Sequence, residues 1–259
     1  MSSQSASSSE TVALYVTCLV DMFRPGVGMA AAELLERAGY RVEVPEGQTC
    51  CGQPAWNSGD EEQARELARQ AIHQLREFDH VVVPSGSCAA TMICHYPTLL
   101  AGDREWQDAA YDLARRTREL TAFLAEASVE PTETPARFPG KVTYHDSCSG
   151  LRQLTIHDQP RQLLQRVEGL TLQEMEDTEV CCGFGGTFCI KYPEISEHMV
   201  SDKVERIQES GARAVLGGDL GCLMNIAGRM QRLGVPVKAY HVAEVLAGHA
   251  DGPGIGEKG

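Results

Sequence analysis

The 259-residue sequence has no apolar run near the roughly 20 residues that a membrane-spanning helix requires. It is short of positive charge: 23 Lys and Arg stand against 36 Asp and Glu, a formal net charge of -13. A nonspecific nucleic-acid surface needs the opposite balance, so nucleic acid is not an expected partner. Residues 1–10 are Ser-rich and lack both a basic n-region and an apolar h-region. They read as a disordered leader rather than a signal peptide, which makes the cytoplasm the expected compartment. There is no Ser/His/Asp arrangement, no P-loop and no HExxH motif. No convincing flavin or nicotinamide site is present, and Gly183-Phe184-Gly185-Gly186 is a weak match to a dinucleotide loop.

Cysteine is what the chain has in quantity, with ten residues. In a reducing compartment they read as metal ligands or redox groups rather than disulfide staples. Eight of them form one pattern twice: C-x31-CCG-x35-C recurs as C-x32-CCG-x38-C. The first set is Cys18, Cys50, Cys51 and Cys88; the second is Cys148, Cys181, Cys182 and Cys222. Soft thiolates in fours suit an iron–sulfur cluster or a zinc ion. Structural zinc favours compact C-x2-C hairpins, whereas these ligands are widely spread, which favours a polynuclear centre.

The hydrophobic share of 42% supports a packed core and excludes global disorder. Around each cysteine set the same element order recurs. Short β-rich runs, 11–17 and 141–145, precede Cys18 and Cys148. Strand candidates 40–44 and 170–175 precede the CCG runs, and 80–83 and 213–216 lead to Cys88 and Cys222. Helical patterns occupy 27–38, 60–77, 89–100, 193–210 and 223–233. The expected fold is α/β: two homologous β-α-β-α-β-α repeats, each with a small parallel sheet, paired about a pseudo-twofold axis. Each cysteine group then lies in a loop after a strand, and those loops gather at the carboxyl ends of a parallel sheet. The expected divisions are a leader at 1–10, a first domain at 11–128 and a linker at 129–140. A second domain follows at 141–247, and a flexible tail at 248–259. Residues 106–126 read as helical, and 236–240 and 241–246 as a last strand and helix.

Gly52 and Gly183 are expected to take positive φ, letting the backbone approach a cluster closely. Cys94 reads as core packing, while Cys189 is a spare ligand or a labile thiol. His145 reads as a satisfied polar residue at a strand end, with ligation as its alternative, and His241 as a helix cap. Arg24 reads either as an offset to cluster charge or as a solvated surface residue.

The set of motifs resembles the cysteine-rich CCG-domain family, shared with the cysteine-rich subunit of heterodisulfide reductase and the iron–sulfur subunit of glycolate oxidase. The residues that carry the likeness are Cys50-Cys51-Gly52-Gln53-Pro54, Pro84-Ser85-Gly86-Ser87-Cys88, His145-Asp146-Ser147-Cys148, the run 181–188 and Gly221-Cys222-Leu223-Met224-Asn225. The family's fullest motif has five cysteines per site; here Thr91 and Asn225 hold the last position. That departure favours ordinary [4Fe-4S] clusters, one or two in number, over a noncubane double cluster. The resemblance implies electron transfer in a multi-protein complex that oxidises L-lactate to pyruvate, with two partner proteins, one of them ferredoxin-like. It also implies a cytoplasmic protein, peripheral to the inner face of the membrane through its partners. The rival readings are a cluster-based thiol/disulfide reductase component and a zinc-stabilised scaffold.

Overall fold

The computed structural model describes residues 10–127 and 135–257. The expected leader, apart from its last residue, lies outside them, as do residues 129–134 of the expected linker. The first half contains β1 (Thr11–Leu14), α1 (Cys18–Phe23), α2 (Pro25–Arg37), β2 (Arg41–Glu43), α3 (Gln53–Asn57), α4 (Glu61–Leu75) and β3 (His80–Val83). It continues with α5 (Gly86–Ala90), a π-helical turn (Thr91–His95), α6 (Tyr96–Leu99), α7 (Arg104–Arg116), β4 (Thr117–Glu119) and α8 (Leu120–Glu126). The second half contains β5 (Arg137–His145), α9 (Cys148–Leu154), α10 (Asp158–Leu164), β6 (Glu168–Leu172), α11 (Phe188–Lys191) and α12 (Pro193–Glu209). It ends with β7 (Ala214–Gly217), α13 (Leu220–Leu233), β8 (Lys238–His241) and α14 (Val242–Ala247).

Each half has one four-stranded sheet, ordered β2-β1-β3-β4 and β6-β5-β7-β8, and every pairing is parallel. The two sheets share one topology, so the chain is a pseudo-twofold repeat. Equivalent helices exchange across the axis: α2 packs on α14, and α8 on α10. Strand side chains alternate between two buried faces, as the two-residue strand period requires. In β1, Val12 and Leu14 join a core cluster that runs into the second half, whereas Ala13 and, just past the strand, Tyr15 face α4 and α7.

Three expectations are corrected. Residues 106–126 are not one helix. The Thr117 hydroxyl donates to the Leu113 carbonyl and ends α7, and Thr117–Glu119 then completes the open edge of β3. The strand expected at 141–145 begins earlier: β5 starts at Arg137 and pairs with β6 from there onward. Residues 248–257 do not fray. Ile255 is buried and its N–H donates to the Ala239 carbonyl at 2.8 Å, and the Tyr240 hydroxyl donates to Gly252. Residues 258 and 259 lie outside the described residues. Among the described residues, no helix is long and apolar enough to cross a membrane.

Candidate metal centre

The structure brings each sequence-predicted cysteine set together. Cys18 follows β1, Cys50 and Cys51 follow β2, and Cys88 lies in the first turn of α5 after β3. The Ser85 hydroxyl caps α5 by accepting the Cys88 N–H at 3.3 Å, which fixes where that cysteine sits. Thr17, just before Cys18, is held at φ +75, a conformation that costs a β-branched residue energy and that only its surroundings maintain. The sulfurs adjoin in the order Cys18–Cys50–Cys51–Cys88, and Cys51 Sγ donates to Cys88 Sγ at 3.3 Å. The second half repeats it as Cys148–Cys181–Cys182–Cys222.

Both CCG glycines take positive φ, +85 at Gly52 and +81 at Gly183. In that conformation Gly52 N–H reaches the Cys50 sulfur, and Gly183 N–H lies 3.4 Å from Cys181. The N–H groups of Leu19 and Phe184 donate to Cys18 and Cys182. Such donors stabilise negative charge on sulfur.

Hydrogen bonds from the Cys18 and Cys51 thiols hold Cys50 down to about 3. Cys18 is pushed up by its bond to Cys50 and by burial. Cys148 is pushed up likewise, by its bond to Cys181 and by burial. At Cys222 the Cys182 thiol favours the thiolate, yet burial still pushes it up to about 11. Four crowded thiols therefore resist losing all their protons unless a cation shares the site. This donor set suits a soft metal ion or an iron–sulfur group.

The two sites lie on a common face. Asn57 Nδ2 donates to the Gly185 carbonyl at 3.5 Å, and the Ser58 and Thr187 hydroxyls are 3.2 Å apart. A cavity of about 200 Å³ opens beside the first sulfur set and is closed from the other half by Phe184, Thr187 and Leu220.

His145 is not a satisfied polar residue: it is buried and both ring nitrogens lack a partner. Burial, then nearby Lys203, pushes it down to about 3. His241 caps α14 in a capping box with Glu244. Arg24 is half-buried, and its guanidinium pairs with Glu244 at 2.8 Å and bonds the Pro253 carbonyl. Cys94 is half-buried in the π-helical turn, apart from both sulfur chains, and Cys189 Sγ donates to the Gly186 carbonyl. Asn225 donates to the Cys182 carbonyl at 2.8 Å, and the Thr91 hydroxyl to Ser87. Sequence reasoning missed three supports. Tyr96 donates to the Cys51 carbonyl, Gln48 bonds both Val16 N–H and the Leu14 carbonyl, and Asp219 accepts from Ser87. Only Asp219 had a local signal, as an Asp placed just before a helix.

The fold and its paired thiol sites define a duplicated cysteine-rich α/β protein. A family model described as the CCG cysteine-rich domain matches residues 12–93 and 142–227. The chain belongs to that family. It is 48% identical over 235 residues to lactate utilization protein A of Geobacillus kaustophilus (strain HTA426), covering 91% of this chain and 98% of the relative. It is 45% identical over 241 residues to lactate utilization protein A of Oceanobacillus iheyensis, covering 93% of this chain and 98% of that relative. Its fold is similar to a hypothetical protein from Helicobacter pylori, with a TM-score of 0.65 at 10% identity. That match covers 96% of this chain, which spans 50% of that protein's length.

Proposed function

We propose that the protein is an iron–sulfur electron-transfer subunit of a multi-protein complex that oxidises L-lactate to pyruvate. The supporting observation is the pair of sulfur chains, each gathering four cysteines from three strand ends. Cys18, Cys50, Cys51 and Cys88 would hold one group; Cys148, Cys181, Cys182 and Cys222 would hold the other. A bound cluster supplies reversible one-electron storage. The chain's own residues supply sulfur ligands, backbone N–H donors that lower the cost of negative charge, and contacts from the end of α3 to the segment after the second CCG that join the two sites' surroundings. Lactate releases two electrons and two protons as it becomes pyruvate, so two neighbouring one-electron sites match the demand. The likeness to lactate utilization protein A supports lactate as the substrate; in this reading the complex supplies the remaining subunits, including a ferredoxin-like cluster protein.

The test is anaerobic purification followed by iron, zinc and sulfide analysis, with growth of a deletion strain on L-lactate. Brown protein with near-stoichiometric iron and sulfide, and lost growth restored by the gene, support the reading. Colourless zinc-bound protein overturns it in favour of a scaffold.

The cavity beside the first sulfur set favours a second reading, a component that reduces a small disulfide. There, two electrons and two protons convert one disulfide to two thiols. Reductive release of thiol by the assembled complex, without dependence on lactate, would select this reading.

A further inference from the structure

The two halves agree at the four sulfur positions and differ at one neighbour. Three residues before the leading cysteine, at the end of the central strand, the first half carries Tyr15 and the second carries His145. Both are buried. Tyr15 is satisfied: its hydroxyl donates to the Thr49 carbonyl at 2.6 Å. His145 is 1% exposed, and neither Nδ1 nor Nε2 has a hydrogen-bond partner. A neutral imidazole has one N–H donor and one lone pair, and burying both unmet is uncommon in folded proteins.

The groups that might have satisfied the ring are engaged elsewhere. Both Asp146 carboxylate oxygens accept from Arg161 at 2.9 Å. Lys203 Nζ donates to the Asp177 and Thr178 carbonyls. What the ring does approach is sulfur. A His145 nitrogen and the sulfurs of Cys182 and Cys222 all lie within 4.8 Å of one another. Imidazole and thiolate together are a common donor set for iron and zinc.

We propose that His145 is a metal ligand of the second centre, binding an iron of its cluster through a ring nitrogen beside Cys182 and Cys222 and taking the place of one of the other two thiolates, while the first centre is held by thiolates alone. The proposal rests on the iron–sulfur reading above. It makes the two centres chemically distinct: a neutral nitrogen donor tunes the potential of the second and has no counterpart in the first.

The experiment uses the full chain, purified anaerobically and reduced, with pulsed electron paramagnetic resonance of its clusters. A strongly coupled 14N signal is expected, larger than that from a hydrogen-bonded backbone N–H. It should convert to the 15N pattern when histidine alone is 15N-labelled, and persist in Cys88→Ser, which removes a first-centre ligand. It should be lost in His145→Gln. His145→Cys replaces a neutral donor by an anionic one and should move the second centre's potential to a more negative value. Iron-loaded protein with no strongly coupled histidine nitrogen, or with one that survives His145→Gln, overturns this proposal and leaves the electron-transfer reading standing. Iron-free protein overturns both. Absence of a strongly coupled histidine nitrogen from the labelled wild-type chain overturns the proposal even where the variants fail to fold.

Discussion

The backbone N–H of Ser87 donates to the Asp219 carboxylate at 2.9 Å, joining the helix start that carries Cys88 to the one that carries Cys222. The Ser85 hydroxyl donates to the same carboxylate at 3.3 Å, and Gly86 N–H to the Gly218 carbonyl. Asp219 is thus the N-terminal flank of α13 and an acceptor for the α5 terminus at once. A carboxylate between two helix N-termini is favoured by both helix dipoles. It holds the third strand ends of the two halves, and the cysteines that follow them, in one fixed relation.

Asp219→Ala should therefore destabilise the whole chain by about 2 kcal/mol, the usual scale for a buried charge-assisted hydrogen bond left unmade. Denaturant midpoints of Asp219→Ala, Ser85→Ala and the double variant measure it. Strict additivity of the two single effects would mean that the Ser85–Asp219 bond contributes nothing to the link between halves.

Replacing Cys182 by Ser should cost far more bound iron than replacing Cys94 by Ser. Serine keeps the size but is a harder and poorly ionised ligand. Cys94 belongs to neither sulfur chain, and its replacement should cost roughly 1 kcal/mol of stability at most. Equal iron loss in the two variants would bring Cys94 into the first site.

Gly183→Ala should be harmful for two separate reasons. The residue sits at φ +81, and an added Cβ would lie 2.8 Å from the Ser196 carbonyl oxygen, which is backbone and cannot swing away. The left-handed conformation alone costs about 1–2 kcal/mol for a residue with a side chain. A melting temperature and iron content both near those of the wild type would refute this account of the CCG loop.

Glu119 should set part of the pH dependence of stability. Burial raises its carboxyl from 4.5 to about 7 in the folded chain. Between those values the unfolded state releases a proton that the folded state keeps. Stability is then greatest below about 4.5 and falls as pH rises toward 7. The size of the fall is on the order of 3 kcal/mol, since each pKa unit corresponds to about 1.4 kcal/mol. Glu119→Gln should flatten this component, read from urea unfolding at a series of pH values. An unchanged slope in that variant would assign the effect to another group.

The parts of the fold that were legible in the sequence are those with a local cause. In α4, Ala64, Ala68, Ala71, Ile72 and Leu75 recur at helical spacing and all are buried, and Asp60 caps the start by accepting from Gln63 N–H. β3 shows itself as a β-branched run. The tandem cysteine spacing placed eight ligand candidates before any strand was paired. β4 was not legible: its three residues are a strand only because β3 offers them an edge. The short helices α1 and α9, which begin at the leading cysteines, have too few residues to show a period.

The sequence alone determined which residues gather. Order along the chain, strand-to-helix alternation and thiol chemistry are carried by near neighbours, and a parallel sheet brings its loops to one edge whatever else surrounds it. Tertiary structure alone decided which polar groups are met. Tyr15 and His145 hold equivalent positions, yet one finds the Thr49 carbonyl and the other finds only the sulfurs of Cys182 and Cys222. Arg24 finds Glu244, 220 positions away. Whether a buried donor is satisfied depends on atoms brought close by folding, and nothing in the spacing of residues along a chain encodes that distance.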